Sequence, residues 1–148
     1  MSDGVLLDYA LGQDSSDVDL RTADVTSLRY YCFAGDIIMR IGDVDLSARY
    51  GWVPVLDFAV ALRSIARTLQ TEPHAAFEFT ESPATIEFDR EGDVVSVRAS
   101  YATETAQVPY AELREAAEAF LARVVDDLTT AHPELAGNPF VAEVAASP

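Results

Sequence analysis

Two Asp-x-Asp pairs, Asp17-Val18-Asp19 and Asp43-Val44-Asp45, are the first places in this chain where residue type and spacing could do chemistry. Carboxylates two residues apart can hold a divalent cation when a third oxygen ligand converges, but neither pair has the glycine and terminal glutamate of an EF-hand loop. In a strand, residues two apart share a face, so Asp43 and Asp45 are expected as an exposed charged pair protecting a sheet edge. Arg49-Tyr50-Gly51-Trp52 gathers an Arg, a Tyr and the only Trp of the chain, the types that dominate binding hot spots. The competing reading makes Trp52 or Val53 a hydrophobic staple closing the start of a helix.

His74 and His132 are the only histidines, and each adjoins a proline. They read as turn residues or as helix C-terminal cations that meet the dipole. There is no His-x-x-x-His, Glu-x-x-His or cysteine pair, so zinc and a Cys-His nucleophile have no support. A Gly-x-Ser-x-Gly elbow, a Gly-x-Gly-x-x-Gly turn and a Walker loop are absent as well. All the basic residues are Arg, which removes a Schiff-base lysine and a P-loop lysine together. The pattern predicts no cofactor and no metal.

Twenty-five Asp and Glu against 10 basic residues leave a formal charge of −15 and a pI near 4.2. Such a balance argues against nucleic acid, whose binders carry a basic stripe for the phosphates. The composition is 49% hydrophobic, which suits a globular core and not a disordered acidic tail. An Arg-only, acidic composition fits either a GC-rich genome or a salt-adapted surface. Met1-Ser2-Asp3-Gly4 has no cationic region followed by an apolar one, and no apolar run reaches the length of a bilayer span. No membrane role and a cytoplasmic location are expected, in keeping with Cys32 as a lone thiol.

These residues need elements to position them. Val5 to Leu11 reads as a short strand, and Gly12 to Asp24 as an acidic loop. Leu28 to Phe33 and Ile37 to Ile41 read as a hairpin about an Ala34-Gly35-Asp36 turn, with Val44 and Leu46 continuing the alternation. This pair, from Tyr30, Tyr31 and Cys32 to Met39, is apolar on both faces, which predicts an interface, a ligand cleft or cover by the N-terminal segment. Val55, Phe58, Ala59, Leu62, Ile65, Ala66 and Leu69 repeat at helical spacing after Pro54, with Arg63 and Arg67 away from the stripe. Three alternating strands follow, about Phe77-Phe79, Ile86-Phe88 and Val95-Tyr101, with Glu78 and Glu87 on the wet face. A second helix carries Leu113, Ala117, Phe120, Leu121, Val124 and Leu128 on one stripe and stops at His132-Pro133.

The order βββαβββα predicts one α+β domain over residues 1–148: two layers, an antiparallel sheet of about six strands, and two amphipathic helices on one face. The ends, 1–25 and 137–148, are expected to be loosely held. The halves repeat in architecture, without residue identity that would argue for duplication. In size, acidity and helix-on-sheet layout the chain resembles small bacterial proteins that act by binding, among them immunity proteins that neutralise toxins. The expected function is non-catalytic binding of a basic protein partner through Asp43, Asp45, Arg49, Tyr50, Trp52, Glu78 and Glu87. Two alternatives stay open: a small-molecule or enzymatic cleft between sheet and helices, anchored by Asp57 or Tyr31, and a structural homodimer.

Overall fold

A computed structural model describes residues 5–11, 22, 33–79 and 83–146. The α+β class with antiparallel sheets stands. Strand β1 (Val5–Leu11) pairs antiparallel with β2 (Ala34–Ile41), placing Leu7 opposite Met39. The other edge of β2 takes β3 (Val44–Asp45) and then β4 (Ala48–Pro54). Helix α1 (Val55–Thr68) follows directly. The second sheet is a meander of β5 (His74–Glu78), β6 (Thr85–Glu91), β7 (Val94–Ala99) and β8 (Thr105–Pro109). Helix α2 (Tyr110–Ala131), a 3-10 helix (Pro133–Gly137) and α3 (Pro139–Ala146) complete the chain.

The differences from expectation have local causes. Ala34-Gly35-Asp36 is the start of β2 and not a turn; the preceding Leu28 to Cys32 lie outside the described residues. Gly35 serves a close approach: a Cβ there would run into the carbonyl oxygen of Ala10 in β1. Phe33 makes the bend before β2, with φ of 57°, and its carbonyl accepts the amide of Val55 at 3.0 Å, capping α1. Strand β8 was not expected because Thr105-Ala106-Gln107-Val108 is short and carries Ala where a β-branched residue would announce a strand. Its Pro109 sits at an edge strand, where a missing N–H costs no ladder bond.

Of the C-terminal segment expected to be loosely held, 137–148, the described residues up to 146 form a helix that packs on the core. Asn138 Oδ1 accepts the amide of Phe140 at 2.9 Å, an N-cap followed by proline at the first helical position. The helix so started buries Val141 and Val144. At the other end, β1 ties residues 5–11 into the first sheet.

The halves also share residues. Gly42-Asp43-Val44 forms the β2–β3 hairpin and Gly92-Asp93-Val94 the β6–β7 hairpin, with glycine φ of 59° and 63°. Val53-Pro54 and Val108-Pro109 each lead into the helix that follows. The expectation of no residue identity is therefore corrected at these two devices: the two-residue hairpin that needs φ > 0, and the proline that starts a helix.

The first half of α1 is enclosed, with Val55 to Val60 buried without interruption, and its second half buries a stripe of Leu62, Ile65 and Ala66, as α2 buries the single stripe expected of it. The two pack on each other and on the sheets around one continuous apolar core. An aromatic chain runs through that core: Tyr9 to Phe120 at 6.1 Å, Phe120 to Phe58 at 6.3 Å, Phe58 to Phe77 at 5.1 Å, Phe77 to Phe79 at 5.0 Å and Phe79 to Tyr101 at 5.8 Å, all edge-on. Tyr101 then donates its hydroxyl to the Leu46 carbonyl at 2.7 Å, joining the second sheet to the β3–β4 connection.

Tyr9 closes the other end of that chain. Its hydroxyl donates to Asp127 Oδ2 at 2.7 Å, and Arg123 donates to Asp8 Oδ1 at 2.8 Å, so two contacts clasp β1 to α2. Burial, then the hydrogen bond to Asp127, pushes the phenol well above its ordinary 10.0. A raised value favours the neutral phenol in the fold, so the stabilisation is complete below pH 10 and is lost as the pH rises through the folded value. Urea unfolding from about pH 8 to about pH 11 is expected to show a steeper alkaline loss for the wild type than for Tyr9→Phe. Parallel curves for the two would remove Tyr9 from that account.

Candidate functional site

Asp43 and Asp45 do not share a strand face. Asp43 occupies the Gly42-Asp43 hairpin turn and is exposed; Asp45 alone lies in β3. Asp45 Oδ1 accepts the Ser47 amide at 3.0 Å, while its Oδ2 faces Arg49 Nη1 at 3.5 Å and Arg40 Nε at 3.8 Å. The hydrogen bonds from Ser47 are the main reason its carboxyl falls below the ordinary 3.8, with Arg49 and Arg40 adding to them. Ser47 Oγ in turn accepts the Met39 amide at 3.0 Å. Asp45 is thus a clamp on the β3–β4 connection with its charge already matched by arginines, which alters the expected picture of a free acidic edge.

The Arg49-Tyr50-Gly51-Trp52 segment stands at a break in pairing. Ile37 lies opposite Ala48 and Gly35 opposite Val53, so residues 49–52 fall between paired positions where β2 offers only Asp36. Bulged backbone of this kind re-aims side chains away from the regular ladder. Arg49 is exposed; the side chains of Tyr50 and Trp52 lie outside the described residues. Val53, the other staple candidate, is fully buried immediately before the N-cap Pro54.

Glu78 and Glu87 lie on the other sheet, on its outward face. Alternation points Phe77, Ile86, Phe88, Val95 and Val97 into the core, so His74, Glu78, Glu87, Asp89, Glu91 and Arg98 face out. The register sets His74 opposite Asp89 and Glu87 opposite Arg98. Accordingly His74 Nδ1 lies 2.7 Å from Asp89 Oδ1, and Arg98 Nη2 donates to Glu87 Oε2 at 3.0 Å. His74 Nε2 sits 3.9 Å from Glu87 Oε1, linking the two pairs. Sequence reading named Glu78 and Glu87 but missed Asp89, Glu91 and the cross-strand His74 and Arg98. Their signal was there, since residues at i and i+2 of an alternating strand share a face; which residues stand opposite one another had to come from the strand register.

The outer face of the first sheet is mixed. Leu6, Asp8, Ala10, Ile38 and Arg40 share it, and among them only Leu6 is a large, strongly exposed apolar residue, at 52%. The expectation of an apolar face is corrected to that extent, and Tyr30, Tyr31 and Cys32, on which it also rested, lie outside the described residues, as do Asp17 and Asp19.

A cavity of about 470 Å³ exists, but it lies between α1, α2 and the C-terminal helices, not between sheet and helices. Asp57, proposed above as its polar anchor, is buried in the first turn of α1 and does not line it. Across the helix pair beside this cavity Arg67 pairs with Glu118 at 3.3 Å. Among the described residues no three His, Cys, Asp or Glu side chains are placed to hold a metal ion, and no helix is long and apolar enough to cross a membrane.

Fold and surface define a small acidic α+β protein of two antiparallel sheets, with a carboxylate-rich sheet face on one side and a cavity in its helical layer. Set against known proteins, the chain matches no family model, no curated protein and no solved structure.

Proposed function

We propose that the protein is a non-catalytic binding protein that captures a basic protein partner, in the manner of a neutraliser, on the outward face of its second sheet. The observation behind this reading is the row Glu78, Glu87, Asp89 and Glu91 on one pleated face, against Arg98 as its one arginine. A rigid antiparallel sheet holds these charges at fixed spacing, so a complementary basic surface binds them without ordering a loop. The formal charge of −15 extends the attraction beyond contact distance, which raises association rates with cations and discourages anions. Asp43 and Arg49, both exposed on the first sheet, are the remaining candidates for contact with such a partner, Arg49 lying at the register break.

The test is affinity capture of the tagged protein from its native lysate at low and high salt, beside an equally acidic unrelated control. A stoichiometric basic partner that is lost at high salt and absent from the control supports the reading. With that partner, the combined variant Glu78→Gln, Asp89→Asn, Glu91→Gln is expected to slow association roughly tenfold at low salt and to flatten its salt dependence. Unchanged rates in the variant, or equal capture by the control, would overturn the assignment of this face.

A further inference from the structure

We infer that the cavity walled by α1, α2 and α3 binds a small amphipathic monocarboxylate, its carboxylate on the Arg63 guanidinium and its apolar part against Leu121, Val125, Val141 and Val144. The cavity, about 470 Å³, has the size of small-molecule sites, which run from about 300 to about 1,000 Å³. Its lining combines those aliphatic side chains with a few polar groups, the usual composition of such sites.

Arg63 is the group that sets the ligand's charge. It sits half-buried in the cavity wall, and its guanidinium donates one hydrogen bond, from Nη1 to the Val144 carbonyl at 3.2 Å. Among the described residues it makes no ion pair. A guanidinium has five N–H donors in a planar fork that fits a carboxylate in two-point contact, so one carbonyl leaves most of that capacity unused. Burial, and then neighbouring Arg67, draws its pKa below the ordinary 12.5 against the opposing pull of Glu118, and an arriving anion would add to that opposing pull. One helical turn further along α1, Arg67 already has its carboxylate in Glu118 at 3.3 Å. The two arginines of this face are therefore unequal: Arg67 has a direct ion pair within the chain, whereas Arg63 feels Glu118 only at longer range.

The remaining lining limits the ligand to a single negative charge. Glu118 and Asp126 also border the cavity, and a phosphate or dicarboxylate would meet their repulsion. Glu118 is offset by Arg67, and Asp126 is exposed to solvent that screens it, so one carboxylate can be accommodated. The site is independent of the sheet face assigned above to a protein partner. It depends on α3, which supplies Val141, Val144 and the carbonyl that holds Arg63 in place.

Methyl NMR titration of the full chain with octanoate, octanamide and octylamine tests this. Octanoate is expected to saturate with a submillimolar Kd and to shift the methyls of Leu121, Val125, Val141 and Val144, with octanamide and octylamine weaker by about ten- to a hundredfold, the scale of a charge-assisted pair. Arg63→Gln should remove that preference for octanoate and leave octanamide binding unchanged, showing that the cavity itself persists. Arg114→Gln, elsewhere on α2, should change neither. Ala122→Trp places a large ring at an exposed position of the wall and should abolish octanoate binding in a folded protein, which keeps the question decidable should Arg63→Gln fail to fold. Octylamine binding as tightly as octanoate, octanoate shifts elsewhere in the molecule only, or full binding by Ala122→Trp would each overturn the inference.

Discussion

Phe58→Ala is expected to lower the unfolding free energy by about 4 kcal/mol. Phe58 is fully buried, and its ring meets Phe77 of β5 edge-on at 5.1 Å and Phe120 of α2 at 6.3 Å. It therefore couples the first helix to β5 and α2 of the second half, and truncation removes a transfer contribution and leaves a cavity with walls from three elements. Those walls cannot collapse together without moving the first half of α1, which is buried from Val55 to Val60 without interruption. Against a typical total of about 5–15 kcal/mol, such a loss takes a large share of the stability. Urea denaturation at neutral pH measures it, with Phe58→Leu as the milder comparison. A loss below about 1.5 kcal/mol would show that the aromatic chain is not the main coupling between the halves.

Gly35→Ala is expected to cost about 3 kcal/mol, although it adds one methyl group. Gly35 lies in β2 opposite Leu11 of β1 on one side and Val53 of β4 on the other. A Cβ at this position collides with the Ala10 carbonyl oxygen and also comes within 2.9 Å of Leu11 Cα. Both are backbone atoms, so no side-chain rotation relieves the contact and the end of β1 must lift away. Native-state hydrogen exchange should then show lost protection in β1 while β5–β8 keep theirs. Gly92→Ala makes a useful contrast. No atom lies within 4 Å of a Cβ there, so its cost comes from the positive φ of 63° alone and should stay near 1 kcal/mol. Equal losses at the two glycines would contradict the close approach of β1 and β2.

Much of the fold was legible because burial in it follows local period. The stripe of α2, from Leu113 to Leu128, and the alternation of β6 and β7 are patterns that one element carries by itself. Where several elements acted on one residue, local reading failed. Gly35 carries turn chemistry in its type, yet it answers to a neighbouring strand more than twenty residues away in sequence. The tail after Gly137 looked unanchored because small apolar and polar residues are mixed in it without a long stripe; Asn138-Pro139 was a helix start in plain view, but it is the packing on α1 and α2 that gives Val141 and Val144 a surface to cover. The two Gly-Asp-Val hairpins were equally visible, and their equivalence emerged once both were seen closing antiparallel pairs.

The candidate sites divide along the same line. The sequence alone determined the acidity, the absence of lysine and the lack of any His or Cys zinc-ligand spacing or Gly-x-Ser-x-Gly elbow, since these depend on counting and order. Strand period alone put Glu78 and Glu87 on a wet face. Tertiary structure decided which carboxylates remain available: Asp45 is taken by Ser47, Arg49 and Arg40, whereas Glu78 and Glu91 stand at the ends of their strands opposite uncharged residues. It also decided that Arg67 finds a carboxylate and Arg63 does not, although the two are four apart on one helix and read identically in the chain. The physical reason is that an ion pair depends on separation in space, and separation in space is set by how helices and strands pack, a quantity that no local pattern of residues encodes.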